Sequence, residues 1–498
     1  MRFGRTTLPQ VGAEHIPAKR FFSGADSVRD GSTVDGFAED GSETFSGRRA
    51  QTRIVLTILS HPDLRRAGER AVLRPADEPA YLSRRSPDFS AAAALWQGGP
   101  LDDPYLSRRP WGIEPMDDGV VLRRMGSPIE LRVDGKSVDE TVQLSAQALR
   151  SGVVLELGRR VALWLQLEMG PSIERDADRE LRARSQIIGQ SSALEQAMES
   201  VRRLAGVDVA VLIRGEAGTG KTLIAEALHR HSPRAAKPFV TVDLGALSSS
   251  AAVSELWEQI QAADGGVLFL DQLGEAAPEI QRVLSRFLGT GKVMPSGSRA
   301  PRPVDVRIVA AADVDLEAKA AAGDFKSSLL HRLSAYRIHL PALRDRREDI
   351  GALFLHFARQ ALDEVGAVGL LDGPDPRSGP WLSPSLMRRL ARYVWPGNVR
   401  QLRNVVRRLV IDGRDDGVLR PGFGLQTLLA GPGCPNASSL EKKGGGEIDA
   451  EQEATWTAPP VSRRESTVED ATLKAAFKTS TFEPSVAARI QSLRRAFF

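Results

Sequence analysis

The chain has 498 residues, too many for one core when a domain takes roughly 150, so about three units are expected. Its 42% hydrophobic and 26% charged residues are those of globular protein, and 67 Lys and Arg against 63 Asp and Glu leave a formal charge of +4, which neither demands nor excludes a nucleic-acid partner. The single cysteine, Cys434, excludes an intrachain disulfide and has no ligand partner at metal spacing; with no apolar run of about 18 residues and no apolar core behind the basic start, a cytoplasmic chain without signal peptide or membrane span is expected.

In chain order, residues 1–50 are rich in Gly, Ser, Arg and Asp without apolar periodicity, and the expectation is a disordered tail. Residues 51–170 change to short apolar runs (RIVLTIL, GVVLRRM, IELRVDGKSV, VALWLQLEM) parted by Asp-Gly turns at Asp118-Gly119 and Asp134-Gly135, the pattern of an all-β sandwich. A charged linker, ERDADRELRARSQ, follows. In residues 187–365 strand-like runs (VAVLIRG, FVTVDL, GVLFLDQL, VRIVAAAD) alternate with helical stretches (TLIAEALHRH, PEIQRVLSRFL), which predicts an α/β unit with a parallel sheet. A helical lid over 366–430, a flexible Gly-rich linker over 431–466 and a short helical segment over 467–498 complete the multidomain chain.

The most informative motif is Gly215-Glu216-Ala217-Gly218-Thr219-Gly220-Lys221-Thr222, placed between the apolar strand VAVLIR and an amphipathic helix. Glycines let backbone N–H groups curl around a β-phosphate, the helix N-terminus adds positive dipole, Lys221 neutralises β/γ oxygens, and Thr222 suits a Mg²⁺ ligand. Further on, the strand Gly266-Val267-Leu268-Phe269-Leu270 ends in Asp271, a carboxylate suited to the hydration shell of the same ion. ATP with Mg²⁺ is the expected ligand. The residue after Asp271 is Gln272, whose amide can orient a water but cannot take its proton, so strong binding with weak hydrolysis is expected.

From Ile188-Gly189-Gln190-Ser191 through WPGNVRQLRNVV the chain resembles the AAA+ P-loop NTPase domain of sigma-54-dependent transcription activators. The resemblance rests on GEAGTGKT, ADGGVLFLDQLGE, VRIVAAADVDL, LLHRLSAYRIHLPALRDRREDI and WPGNVRQL. It implies that Arg400 reads the γ-phosphate from the lid and that Arg332 reaches a neighbouring subunit's nucleotide, with Lys326 at the other finger position. Three polar positions depart from the pattern: Asp243 stands for an asparagine, Gln272 for the catalytic glutamate and Asp313 for the sensor asparagine. The loop that grips sigma-54 is absent, because Ser254-Glu255-Leu256-Trp257 runs directly into EQIQAADGG. Asp243 and Glu275 remain as substitute bases.

The segment 51–170 resembles a forkhead-associated (FHA) domain through LDDPYLSRR, Val133-Asp134-Gly135-Lys136 and LRSGVVLELGRRVALWLQL. That likeness implies a phosphothreonine protein partner read by Arg84 or Arg85, Ser107 and Arg108, although Pro110 stands where a framework histidine is usual. The C-terminal EDATLKAAFKTSTFEPSVAARI is similar to the start of a Fis-type helix-turn-helix, implying DNA as a partner, with QSLRRAFF too short for a complete recognition helix. Arg388, Arg389, Arg392, Arg400, Arg403, Arg407 and Arg408 form a basic cluster without acids, expected as a solvated helix face. The function expected is an ATP-binding regulator of the sigma-54 activator type with impaired hydrolysis. The alternatives are an idle FHA-containing module that joins authentic activators in a mixed ring, or an AAA+ remodeller of another protein.

Overall fold

The computed structural model describes residues 52–73, 79–90, 98–116, 118–169, 185–247, 251–294, 300–371 and 380–413, with 419 and 422. The expected tail 1–50, the linker 431–466 and the segment 467–498 lie outside them.

The N-terminal unit is two antiparallel sheets. One has the order β2-β1-β10-β9-β6-β7, from β1 (Thr52–Ser60), β2 (Arg70–Leu73), β6 (Leu131–Val133), β7 (Lys136–Val138), β9 (Val153–Leu157) and β10 (Val161–Met169). The other has the order β3-β4-β5-β8, from β3 (Ala80–Leu82), β4 (Trp111–Met116), β5 (Gly119–Arg124) and β8 (Thr141–Ser145). Leu56, Ile58, Trp111, Ile113, Leu155 and Leu163 fill the space between the sheets. A half-buried antiparallel strand alternates apolar and polar residues, yet β9 is buried at every position and β10 from Val161 to Leu165 is almost wholly apolar. Its outward residues explain the run: Leu59, Val154, Ala162 and Trp164 belong to a second core shared with lid residues such as Phe354, Leu386, Met387 and Leu390.

The lid consists of the helices Ile350–Glu364, Pro384–Arg392 and Asn398–Gly413. It starts earlier than the expected 366, because the helix Ile350–Glu364 packs its apolar stripe on the other two rather than on the parallel sheet. Gly351 brings this helix onto β1: a Cβ there would lie 2.6 Å from the Leu59 carbonyl oxygen, so only glycine permits the contact. The basic cluster is not a solvated face throughout. Arg388 pairs with Glu156 at 2.5 Å, and Arg392 pairs with Asp134 at 2.5 Å, donates to the Gly152 carbonyl at 2.9 Å and stacks over Trp164.

Between sandwich and lid in sequence lies a five-stranded parallel sheet. Its strands are β11 (Val211–Arg214), β12 (Phe239–Asp243), β13 (Val267–Asp271), β16 (Arg307–Ala312) and β17 (Tyr336–His339), in the order β12-β13-β16-β11-β17; a small hairpin, β14 (Lys292–Val293) with β15 (Arg302–Pro303), stands apart. The carboxyl ends of β11, β13 and β16 face the same way, where ligands of open α/β sheets bind. Ser254–Trp257 belongs to a single helix, Ala252–Ala262, that runs into the turn before β13. No helix among the described residues is long and apolar enough to cross a membrane.

Glu348 sits at the joint of sandwich and lid, 8% exposed, and accepts a hydrogen bond from Gln166 Nε2 at 3.3 Å. Burial, then the charge of Asp349, pushes its carboxyl well above the usual range. A carboxyl with a raised folded-state pKa makes the folded chain the tighter proton binder, so its contribution to stability falls as pH climbs from about 4.5 through the raised value. Glu348→Gln keeps an acceptor for Gln166 and removes the titration. Thermal denaturation is expected to show parity near pH 5 and a midpoint about 2–4 °C higher for the variant near pH 8.

Candidate nucleotide site

β11 ends at Arg214, and the loop from Gly215 leads into the helix Lys221–Arg230. Gly218 has φ +76° and a Cβ there would stand 2.4 Å from the Gly397 carbonyl oxygen, so the turn and the close lid both require glycine. Gly220 caps the helix without a side-chain hydrogen bond, which leaves the first helical N–H groups open to an anion. Lys221 Nζ donates to the carbonyls of Gly215 and Glu216 at 2.8 and 3.1 Å. Thr219 Oγ1 donates to the Glu216 carbonyl, and Thr222 is exposed on the first turn. Burial lowers the pKa of Lys221, Asp313 and Asp271 draw it back up, and Arg400 lowers it, so the four charges expected around the phosphates act on one another.

At the end of β13 the Gln272 N–H donates to Asp271 Oδ1 at 2.9 Å, with Gln272 in the left-handed region at φ +53°. Its Nε2 donates to Asp243 Oδ2 at 2.8 Å, while Asp243 Oδ1 accepts from the Gly245 N–H at 3.0 Å. Glu275 pairs instead with Lys319 at 3.5 Å. Arg332 is exposed on the helix Ser327–Leu333 beside Gly289, and it is not among the charges that act on Lys221.

Several residues that join loop to lid had no role in the sequence reading. Asn398, fully buried with φ +51°, donates from Nδ2 to Glu216 Oε2 at 3.1 Å and to the Ala217 carbonyl at 3.0 Å, and accepts the Leu343 N–H at 2.8 Å. Arg344 grips the Glu216 carboxylate with both nitrogens, at 2.9 and 2.5 Å, and these donors hold it down at about 2. The buried Arg346 donates to the Thr219 carbonyl at 3.0 Å. The signal in the sequence for Asn398 was an asparagine, which tolerates a left-handed backbone, directly behind Trp-Pro-Gly; Arg344 and Arg346 sit in the charged run LRDRRED, whose partners are remote in the chain.

Beside the loop lies an open cleft of about 100 Å³, lined by Ile187, Ile188, Leu223, Leu353, His356 and Phe357 among others. Burial, then Arg359 and Arg403, keep the pKa of His356 low, which favours the neutral ring. A mostly apolar lining adjoining a phosphate loop suits a purine base.

On the sandwich, Arg84 is held by Asp102 at 3.1 Å and its N–H donates to the Ser107 carbonyl at 2.9 Å. Ser107 Oγ accepts the Arg109 N–H at 2.9 Å, and Arg85 and Arg108 are exposed nearby in sequence. These residues form one loop cluster with its principal arginine already paired.

Residues 187–339 match the family model of the sigma-54 interaction domain, and residues 344–421 that of the AAA+ ATPase lid domain. The chain is 40% identical over 395 residues to the DNA-binding transcriptional regulator NtrC of Escherichia coli, spanning 75% of this chain and 72% of that protein. It is 36% identical over 299 residues to the anaerobic nitric oxide reductase transcription regulator NorR of Vibrio vulnificus, spanning 56% and 57%. Among solved structures it is similar to NtrX from Brucella abortus in complex with ADP, at 34% identity over 48% of this chain and 55% of that one, with a TM-score of 0.42.

A depressed carboxylate contributes stability that is present above its ordinary value and lost as pH falls through the depressed one. For Glu216 that window runs from about 4.5 to about 2. Glu216→Gln is expected to remove about 1 kcal/mol of the acid sensitivity after allowance for solvent screening, read from denaturant midpoints across that range, and to speed amide exchange in the helix Asn398–Gly413.

Proposed function

The chain belongs to the family of sigma-54-dependent transcriptional regulators, and on that premise we propose that it is an ATP-binding regulator whose cycle is slow at the hydrolytic step. The loop, the uncapped helix N-terminus and the grouping of Lys221, Asp271, Asp313 and Arg400 fit a nucleotide with Mg²⁺. Thr222 and Asp271 would hold the ion, and Gly215, Glu216, Ala217, Gly218, Thr219 and Gly220 would wrap the phosphates. Bound there, Mg²⁺ would neutralise phosphate charge.

The observation that carries the reading is the Asp243–Gln272 pair. The group beside Asp271 is an amide, which orients water without accepting a proton, and the carboxylate sits one strand outward with both oxygens engaged. Asp243 is a better-placed substitute base than Glu275, which Lys319 neutralises. The unbroken helix Ala252–Ala262 supports the absence of a sigma-54-gripping insertion. Output through a partner activator in a mixed ring is the reading favoured by the exposed Arg332, a group able to serve a neighbour's site. The FHA-like reading of the sandwich draws on its two sheets and the Arg84, Ser107 and Arg108 cluster, but Asp102 competes with phosphate for Arg84. Titration with phosphorylated and unphosphorylated threonine peptides tests it, and equal affinities would remove it. DNA binding is proposed on the likeness to NtrC.

Steady-state ATPase assays test the central claim. Wild-type turnover is expected well below the order of 1 per second, Gln272→Glu is expected to raise it about a hundredfold, and Asp243→Asn to abolish what remains. Wild-type turnover near 1 per second would sink the slow-cycle reading.

A further inference from the structure

We infer that the sandwich forms part of the nucleotide site without touching nucleotide: Arg70 and Gln166 are positioning residues that set the two walls of the base cleft. This rests on the reading of the loop and cleft as an ATP site.

Each wall of the cleft is tied to the same sheet. On one side Ile188 leads to Gln190, whose carbonyl accepts from Arg70 Nη1 at 3.0 Å and whose Nε2 donates to the Gly68 carbonyl at 3.3 Å. Arg70 is itself anchored by a close ion pair with Glu168 of β10. On the other side the helix Ile350–Glu364 presents Leu353, His356 and Phe357 to the cleft. Its start is fixed by Gln166 of β10, which donates to Glu348, and by Gly351 seated on Leu59 of β1. Asp349 joins the walls directly: Oδ1 accepts the N–H groups of Gln190 and Ser191 at 2.7 and 3.0 Å, and Oδ2 accepts the Ser191 hydroxyl at 2.7 Å.

Among the described residues, the phosphate loop has no bond that joins it directly to the sandwich. Its fixed partners are Arg344, Arg346, Asn398 and the backbone of the lid helix that follows. Loosening the Arg70 and Gln166 bonds, while the apolar seam of Leu59, Val154, Ala162 and Trp164 still seats the lid, therefore shifts the walls that hold a base and leaves the phosphate cradle to its lid partners Arg344, Arg346 and Asn398. That separates a positioning role from general destabilisation, because inorganic tripolyphosphate engages the cradle alone.

The test is calorimetric titration of the full chain and of Arg70→Ala and Gln166→Leu with ATP and with tripolyphosphate, after circular dichroism has verified folding. ATP affinity is expected to fall about tenfold in each variant, within the usual range of coupling between sites, while tripolyphosphate affinity changes less than about twofold. Equal loss for both ligands, or no loss for ATP, would overturn the inference. Hydrogen exchange on the wild-type chain provides a readout that needs no variant. ATP, and not tripolyphosphate, is expected to slow exchange in β2 and β10, and no difference between them would also overturn it. Lys221→Ala should abolish both ligands; failure of the wild-type chain to bind either would overturn the nucleotide reading itself and this inference with it.

Discussion

Burial of the outward strip of Leu59, Val154, Ala162 and Trp164 beneath the lid helices is the contact on which the remaining geometry depends. An antiparallel sheet is stable with one face in water, so covering the second face is an additional constraint that fixes where another body must sit. Here that body is the lid, pinned further by charge-assisted bonds from Arg388 and Arg392 to carboxylates on the sandwich. The lid reaches in the other direction to the phosphate loop through Asn398, Arg344 and Arg346. A single helical bundle thus has one side set by apolar packing and the other by polar bonds that converge on an anion site.

The polar side is unusual in how little slack it leaves. Asn398 satisfies three backbone or carboxylate partners while fully buried, and an unmet polar group at that depth would cost on the order of 1–3 kcal/mol. Asp349 likewise serves both the cleft wall and the start of the lid helix. The far side of the site is looser, with the Asp243–Gln272 pair exposed to solvent.

Legibility in the sequence followed the range of the interactions. The phosphate loop was readable because its spacing and its strand-loop-helix setting are local, and four of the five parallel strands were readable because they are continuous apolar runs. The fifth, β17, was not: at an edge it buries only Ile338, so Tyr336, Arg337 and His339 mask it. β4 was hidden similarly by the Gly and Pro within Trp111–Met116. The helix Ile350–Glu364 was not singled out, and periodicity would not have named the neighbour its stripe packs on. The acids that meet Arg388 and Arg392 sit at Glu156 and Asp134, remote in the chain, so a cluster without local counter-ions read as solvated.

The double burial of the β1-β9-β10 sheet has a consequence for how such a chain is divided. The charged stretch ERDADRELRARSQ marks a boundary in composition, yet severing the chain there would leave Trp164 and its neighbours facing water on one fragment and the matching lid surface bare on the other. Neither fragment would be an autonomous module. Two parts seamed in this way are not beads on a tether; a displacement of either is carried to the other through one continuous packed interior.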